Sequence, residues 1–278
     1  MAKKSNSKYL LLGAIIIVLA LFGMYFFNKN TPKVEKVPDQ ATSPTQPTAT
    51  IEKIIDKSLV EEKKFNELNT YATFNVTYPQ FKNVSTDFNQ KIADIVNAGI
   101  ENHKKDSGDN WKARYDTKLP GEKISQYPPA ADKYPFSVSW EPAQLNSSYI
   151  SFILIISGFS GGAHGYQNIV SFNYDVKNQK EMTLSDLYPN DPNYLKTVSA
   201  IAYKDLYAQF HTRLNIKTKA DEQNFKDSVV PMLTAGVVPT AENFSVFTFT
   251  PKTITLYFSE YQVAPYAMGQ SKVIITRK

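Results

Sequence analysis

The sequence contains no cysteine. Disulfides, thiolate zinc sites, cysteine nucleophiles and a lipid-modified amino-terminal cysteine are excluded together. Histidine is nearly missing as well. His103, His164 and His211 are the only three, and none stands in the H-x-x-x-H or H-E-x-x-H spacing that sets two imidazoles on one helical face around a metal. No metal and no cofactor is expected. A phosphate-cradling G-x-x-x-x-G-K-[ST] loop is also absent. A basic stripe is lacking too, although the net charge is +5: residues 1–50 hold six basic and two acidic side chains, which leaves 25 basic and 24 acidic in residues 51–278. A nearly neutral body offers no track for a phosphate backbone, so no nucleic-acid partner is expected.

One long uncharged run does stand out. Residues 9–27, YLLLGAIIIVLALFGMYFF, follow Lys3, Lys4 and Lys8. As a helix this run measures about 28 Å, close to the hydrocarbon thickness of a bilayer. It ends in Met24, Tyr25, Phe26 and Phe27, bulky residues that suit a membrane interface and not the small-residue pattern of a cleavage site. The run therefore reads as an uncleaved transmembrane anchor. Three lysines before it against Lys29 just after it put the amino terminus inside, with a cytoplasmic tail of residues 1–8. Residues 28–50 turn to Pro, Thr, Ser and Gln without apolar period, which predicts a disordered linker reaching about 70 Å when extended.

Glycine is sparse, 11 in the chain, yet Gly158, Gly161, Gly162 and Gly165 crowd one place. They lie between an apolar run, residues 152–156, and an alternating run, residues 169–174; both read as strands, with the glycines supplying positive φ or close approach in the connection. Elsewhere, YATFNVTY at 71–78 alternates as a strand that Pro79 stops. Residues 85–103 carry Phe88, Ile92, Ile95, Val96 and Ile100 at helical spacing, and residues 104–134 read as a polar, Gly/Pro-marked loop. Residues 136–140 read as a strand and MTLSDLY at 182–188 as a short one. Asp191-Pro192 reads as the start of a helix with Leu195, Val198, Ala202, Leu206 and Phe210 on one face. Another helix begins near Asp221, and strands close the chain at 244–250, 253–259 and 272–276. The pattern predicts an α+β fold, mainly antiparallel sheet with packed helices, preceded by one transmembrane helix and a Pro/Thr-rich linker. The ectodomain divides into an amino-terminal half, 51–145, and a carboxy-terminal half, 146–278.

No catalytic set is evident. Gly158-Phe159-Ser160-Gly161-Gly162 matches G-x-S-x-G with His164 nearby, which raises a serine hydrolase, but that chemistry needs a strand-to-helix elbow. The residues after Gly165 continue as a strand. A glycine-shaped hairpin, with His164 bonded to backbone, is the simpler reading. Glu141, Asp175, Asp186 and Glu260 could supply a carboxylate pair for glycoside cleavage, although an α+β domain brings such pairs together by chance. The loop YQVAPYAMG at 261–269 gathers Tyr261, Pro265 and Tyr266, an aromatic surface of the sort that binds partners or glycans and that can equally cover a sheet edge.

GGAHG at 161–165 with the strand Phe172-Asn173-Tyr174-Asp175, MTLSDLY at 182–188 and NFSVFTFTPKTITLYFSEYQVAPYAMG at 243–269 together resemble a domain family of largely unknown function. It is the extracytoplasmic domain of the lysozyme-sensing membrane anti-sigma factor of Gram-positive bacteria, also found ahead of the catalytic part of a peptidoglycan deacetylase. TYATFNVTYPQF at 70–81 looks like the companion amino-terminal half. The eight-residue tail is too short for the anti-sigma function, and in the deacetylase the chemistry resides in a separate metal-binding domain. What the resemblance implies is a scaffold, an envelope-facing module that in one relative binds lysozyme. With the anchor read at residues 9–27, the expectation is a single-pass protein of the bacterial cytoplasmic membrane. Its extracytoplasmic body would bind a lysozyme-like protein or a peptidoglycan glycan through Gly161, Gly162, His164, Gly165, Tyr166, Tyr261, Pro265 and Tyr266. A cell-wall-modifying hydrolase and a structural envelope protein are the rival expectations.

Overall fold

The computed structural model describes residues 54–116 and 133–277. The transmembrane and linker expectations for residues 9–27 and 28–50 lie outside them. Among the described residues no helix is long and apolar enough to cross a membrane. The fold of the described residues is α+β with mainly antiparallel sheets.

The first region is a wide sheet. Strands β1 (Ile54–Ile55), β2 (Val60–Leu68), β3 (Ala72–Phe81), β4 (Tyr134–Leu145), β5 (Tyr149–Gly158), β6 (Tyr166–Asp175) and β7 (Lys180–Glu181) form it. They run in the order β2-β3-β4-β5-β6-β7, with β1 parallel to the end of β4. Helix α1 (Thr86–Asp116) carries the chain from β3 to β4, which are parallel neighbours, as such a crossover requires. Pro79 does not stop β3. The ladder to β4 ends at Val76, so Pro79 pairs with β2 alone, where a residue lacking an N–H is tolerated.

Helix α1 runs thirteen residues past the expected stop at His103. Its buried stripe is Phe88, Ile92, Val96, Ile100, His103, Ser107 and Trp111, an unbroken i,i+3/i+4 series. Polar His103 and Ser107 disguise it in the sequence. Both are satisfied inside: the Ser107 hydroxyl donates to the His103 carbonyl at 2.7 Å, and the His103 Nε2 lies 3.3 Å from the Tyr134 carbonyl. The helix packs on Phe74, Phe136, Phe152, Phe172 and Tyr174 to make the first core.

The second region follows residue 182. MTLSDLY is not a strand but a 3-10 turn, Leu184–Leu187, because the Asp186 carboxylate accepts from the Thr183 amide at 2.7 Å and from its hydroxyl at 2.9 Å and curls the backbone. Helix α2 (Tyr194–Arg213) begins two residues later than expected. Asp191 accepts the Asn193 amide at 2.9 Å in a turn before it instead of capping it. Helix α3 (Lys219–Ser228) opens on the box of Thr218 and Asp221, and α4 (Val230–Gly236) holds Pro231 in its first turn. Strands β8 (Phe247–Phe249), β9 (Thr253–Phe258) and β10 (Ser271–Thr276) form an antiparallel sheet, order β10-β9-β8. Val198, Ala202, Leu206 and Phe210 of α2 bury against it. The two cores meet near residue 180, not at residue 145, because β5 and β6 pair with β4 and fill the first core with it.

The join is polar. β8 is an edge strand whose outward backbone groups meet side chains of the wide sheet: the Phe249 amide donates to Ser151 Oγ at 2.8 Å, the Phe247 amide to Ser171 Oγ at 3.1 Å, and Asn173 Nδ2 donates to the Phe247 carbonyl at 2.9 Å. The Ser151 hydroxyl donates in turn to Asn173 Oδ1 at 2.7 Å.

Candidate functional site

The glycine cluster lies in the loop between β5 and β6, a hairpin connection with no helix behind it. The strand-to-helix elbow that a nucleophilic Ser160 needs is therefore not formed. Among the described residues no hydrogen bond joins the Ser160 hydroxyl to a histidine or a carboxylate, and its carbonyl accepts from Asn110 Nδ2 at 2.8 Å. Of the four candidate carboxylates, Asp175 and Asp186 are engaged in turns, Asp175 accepting from Asn178 at 3.0 and 2.8 Å. Among the described residues no group of three or more His, Cys, Asp or Glu could hold a metal ion.

The end of α1 seats the loop. Gly161 has φ +105°, and a Cβ there would stand 3.2 Å from the Asn110 Cβ, so the position needs both the left-handed backbone and the missing side chain. Gly162 follows at φ +110°, while Gly165 has the Gly158 carbonyl close by. Gly158 answers a different demand: a Cβ on it would meet the Tyr166 hydroxyl at 2.6 Å, since the Tyr166 ring crosses over its paired residue. Beneath lies His103. Its Nε2–H donates to the Tyr134 carbonyl, which leaves Nδ1 as acceptor for the Tyr166 hydroxyl at 3.4 Å. Burial pushes the His103 imidazole below the ordinary histidine range, although the Tyr134 carbonyl and the Asp106 charge both pull the other way. Burial, with the Asp106 charge adding to it, raises the Tyr166 phenol and keeps it protonated.

The two stretches singled out in the sequence, 161–166 and 261–266, are brought together. The Tyr266 ring stacks on His164 with centroids 3.9 Å apart and 27° between planes. Its hydroxyl donates to the Gly165 carbonyl at 2.8 Å, the same oxygen that His164 Nδ1–H reaches at 2.8 Å. Gln270 Nε2 adds a second clamp on the Gln167 carbonyl at 2.8 Å. Pro265 opens the 3-10 turn Tyr266–Met268, while Val263 and Ala264 are buried and anchor the loop in the second core. Tyr261 projects from it, 58% exposed, with its ring 5.6 Å from that of Tyr266. It has φ +65°, a conformation that a bulky side chain adopts only under strain. The other non-glycine residues with positive φ among those described are Asn83, Gln179 and Asn215.

Asn110, Gln270 and His103 support the surface and were not expected to. Asn110 falls where a loop was predicted, exposed on α1 beside the buried Trp111, and no pattern in the sequence marks it.

Comparison with known proteins divides along the same lines. Residues 65–167 match the family model described as Deacetylase PdaC, and residues 185–278 match the one described as Protein of unknown function (DUF3298). The chain is 26% identical over 264 residues to the peptidoglycan-N-acetylmuramic acid deacetylase PdaC of Bacillus subtilis (strain 168), an alignment covering 95% of this chain and 47% of that protein. It thus spans about half the length of that relative. Among solved structures, a DUF3298 family member from Bacteroides fragilis NCTC 9343 superposes with a TM-score of 0.53 at 16% identity, over 78% of this chain and 90% of that one, which shows a shared fold. A DUF3298 family protein from Pseudomonas aeruginosa PAO1 gives 0.40 at 16% identity, over 78% and 88%. The resemblance read from GGAHG, MTLSDLY and YQVAPYAMG is borne out: by similarity, the chain pairs a PdaC-type region at 65–167 with a DUF3298 region at 185–278.

Proposed function

We propose that residues 54–277 form a recognition body working at the bacterial cell wall, held outside the cytoplasmic membrane by residues 9–27 and the tether 28–50. Its ligand is a lysozyme-like protein or a peptidoglycan glycan, taken on the surface where the two loops meet. Tyr261 is the observation that carries this reading. A tyrosine that is both strained and 58% exposed contributes little to the fold, and it stands beside the rigid His164–Tyr266 stack, an aromatic platform ready for a sugar face or a protein side chain. The peptidoglycan chemistry named for the Bacillus subtilis relative supports the wall as the setting.

The test is co-sedimentation of the full chain with purified peptidoglycan and, separately, titration with lysozyme, both in uncharged detergent. Micromolar binding to one of them is expected, weakened about tenfold or more by Tyr261→Ala, as for an aromatic anchor at the centre of an interface. Retention on neither ligand, or wild-type binding by Tyr261→Ala, overturns the reading. Release of acetate or sugar from the peptidoglycan would favour the hydrolase instead.

A further inference from the structure

A strand at the edge of a sheet offers unpaired amides and carbonyls, and proteins guard such edges with charge, proline or a covering element. The wide sheet guards one edge and not the other. β2 carries Glu61, Glu62, Lys63 and Lys64 in succession. The outer edge of β6 is covered only at its two ends. There the Asn173 carbonyl accepts from the Met182 amide at 2.8 Å, and the Gln167 carbonyl accepts from the Gln270 side chain at 2.8 Å. Both bonds come from the side away from β5, so the odd-numbered residues of β6 turn their backbone groups outward. Between those fixed points, Ile169 and Ser171 have no backbone partner on that side among the described residues. The open stretch, Asn168-Ile169-Val170-Ser171, holds no charge and no proline.

The open edge borders a cleft of about 480 Å³ between the 3-10 turn at Leu184–Leu187 and the one at Glu242–Phe244. Such a volume accommodates a few side chains. Met182, Tyr194 and Phe244 give it an apolar lining, and Glu181 and Glu242 give it an acidic one. Glu181 is paired with Lys91 at 2.6 Å, whereas Glu242 makes no ion pair among the described residues. One face of the Tyr194 ring is already taken by Tyr188, stacked at 5.2 Å, which leaves a poor platform for a sugar.

We propose that this edge and cleft receive an extended peptide of another protein as an added strand. Its main chain pairs with Ile169 and Ser171, an apolar side chain enters beside Met182 and Tyr194, and a basic side chain meets Glu242. Alternating outward amides and carbonyls match the two-residue period of a strand, and a glycan has no use for that period. The site is separate from the aromatic surface, so it predicts a second partner and not a second view of the first.

The probe is a fluorescent peptide of about nine residues with threonine at every second position and valine and lysine taking turns between them, so that one face carries both side chains, followed by anisotropy against the full chain in uncharged detergent. Saturable binding is expected, weakened about tenfold or more when alternate peptide amides are N-methylated, since these can no longer donate to the edge. Ile169→Pro removes the outward amide while sparing the β5 ladder and should abolish binding. Glu242→Lys should weaken it several-fold, roughly as for a close interfacial charge pair. The N-methylated peptide needs no variant to fold. Equal affinity for it, displacement of the peptide by soluble peptidoglycan fragments, or no anisotropy change at all overturns the proposal.

Discussion

The two cores solve the same problem with different layouts. The first lays one long helix over a wide sheet and fills the gap with rings: Phe152 stacks on Phe172 at 4.9 Å and 6°, Phe81 lies 5.1 Å from Phe152, and Phe88 lies 4.3 Å from Tyr174. The second sets shorter helices on three strands and mixes aliphatic side chains such as Val198, Leu206, Leu233, Ile254, Leu256 and Val273 with six buried phenylalanines, of which Phe244 and Phe258 meet edge to face at 6.2 Å. Between them the contact is made largely by hydroxyls and an amide, beside one aromatic pair, Tyr149 and Phe249, at 5.7 Å. The outer face of the wide sheet meets β8 through Ser151, Ser171 and Asn173, whose side chains replace the missing neighbour strand. An apolar joint would tolerate sliding. A joint of buried hydrogen bonds has one register, and that register holds the 261–266 loop against the glycine loop.

The largest effect that can break this comparison comes from truncating each core in turn. Phe152→Ala in the first and Phe258→Ala in the second each remove a fully buried ring, and each should cost about 3–5 kcal/mol. Because the joint ties the cores together, calorimetry should show one transition lowered by either change. A second transition persisting at the wild-type temperature in either variant would mean that the regions melt separately and the joint does not couple them.

A smaller effect sharpens the same point. Asn173→Ala takes the donor from the Phe247 carbonyl and the acceptor from the Ser151 hydroxyl, both buried, and should cost about 1–3 kcal/mol. Ser151→Ala strands the Phe249 amide similarly. In urea denaturation the double variant should lose less than the two single losses combined, since both residues serve one network. Simple additivity would show the bonds to be independent.

These residues also mark the limit of what the sequence discloses. Strand β5 was legible as an apolar run, residues 152–156, β6 because Phe172 and Tyr174 alternate with polar Ser171 and Asn173, and α2 because its apolar face is unbroken. The alternation does not distinguish a solvent face from a hydrogen-bonded joint: Ser171 and Asn173 look like residues meant for water, and only β8, more than seventy positions away, makes them interior. β2 escaped notice for the opposite reason, as its charged run Glu61 to Lys64 suits an edge strand and masks the strand period. For the candidate site, the sequence offered the two loops but not their meeting. The His164–Tyr266 stack joins residues about a hundred apart, a distance over which local pattern carries no information.

The smallest expected effect concerns the histidine beneath the glycine loop. Because burial holds His103 below the ordinary value of 6.5, the unfolded chain takes up a proton first as pH falls. Stability is then fully present above about pH 6.5 and declines below it, in a window that lies above the ordinary carboxylate values of 3.8 and 4.5 at which Asp186, Asp221 and Glu222 begin to contribute. The melting temperature should therefore be level from pH 8 to about 6.5 and fall toward pH 5, and in His103→Leu the fall over that interval should flatten even if the variant is less stable throughout. The charged neighbour that could offset this is Asp106; if its carboxylate is close enough to stabilise the imidazolium, wild type and variant will run parallel between pH 6.5 and 5. A flattened slope would place the first acid-sensitive contact at Tyr134 and Tyr166, so that α1 loosens from the glycine loop while the second core, which does not touch this histidine, keeps its packing.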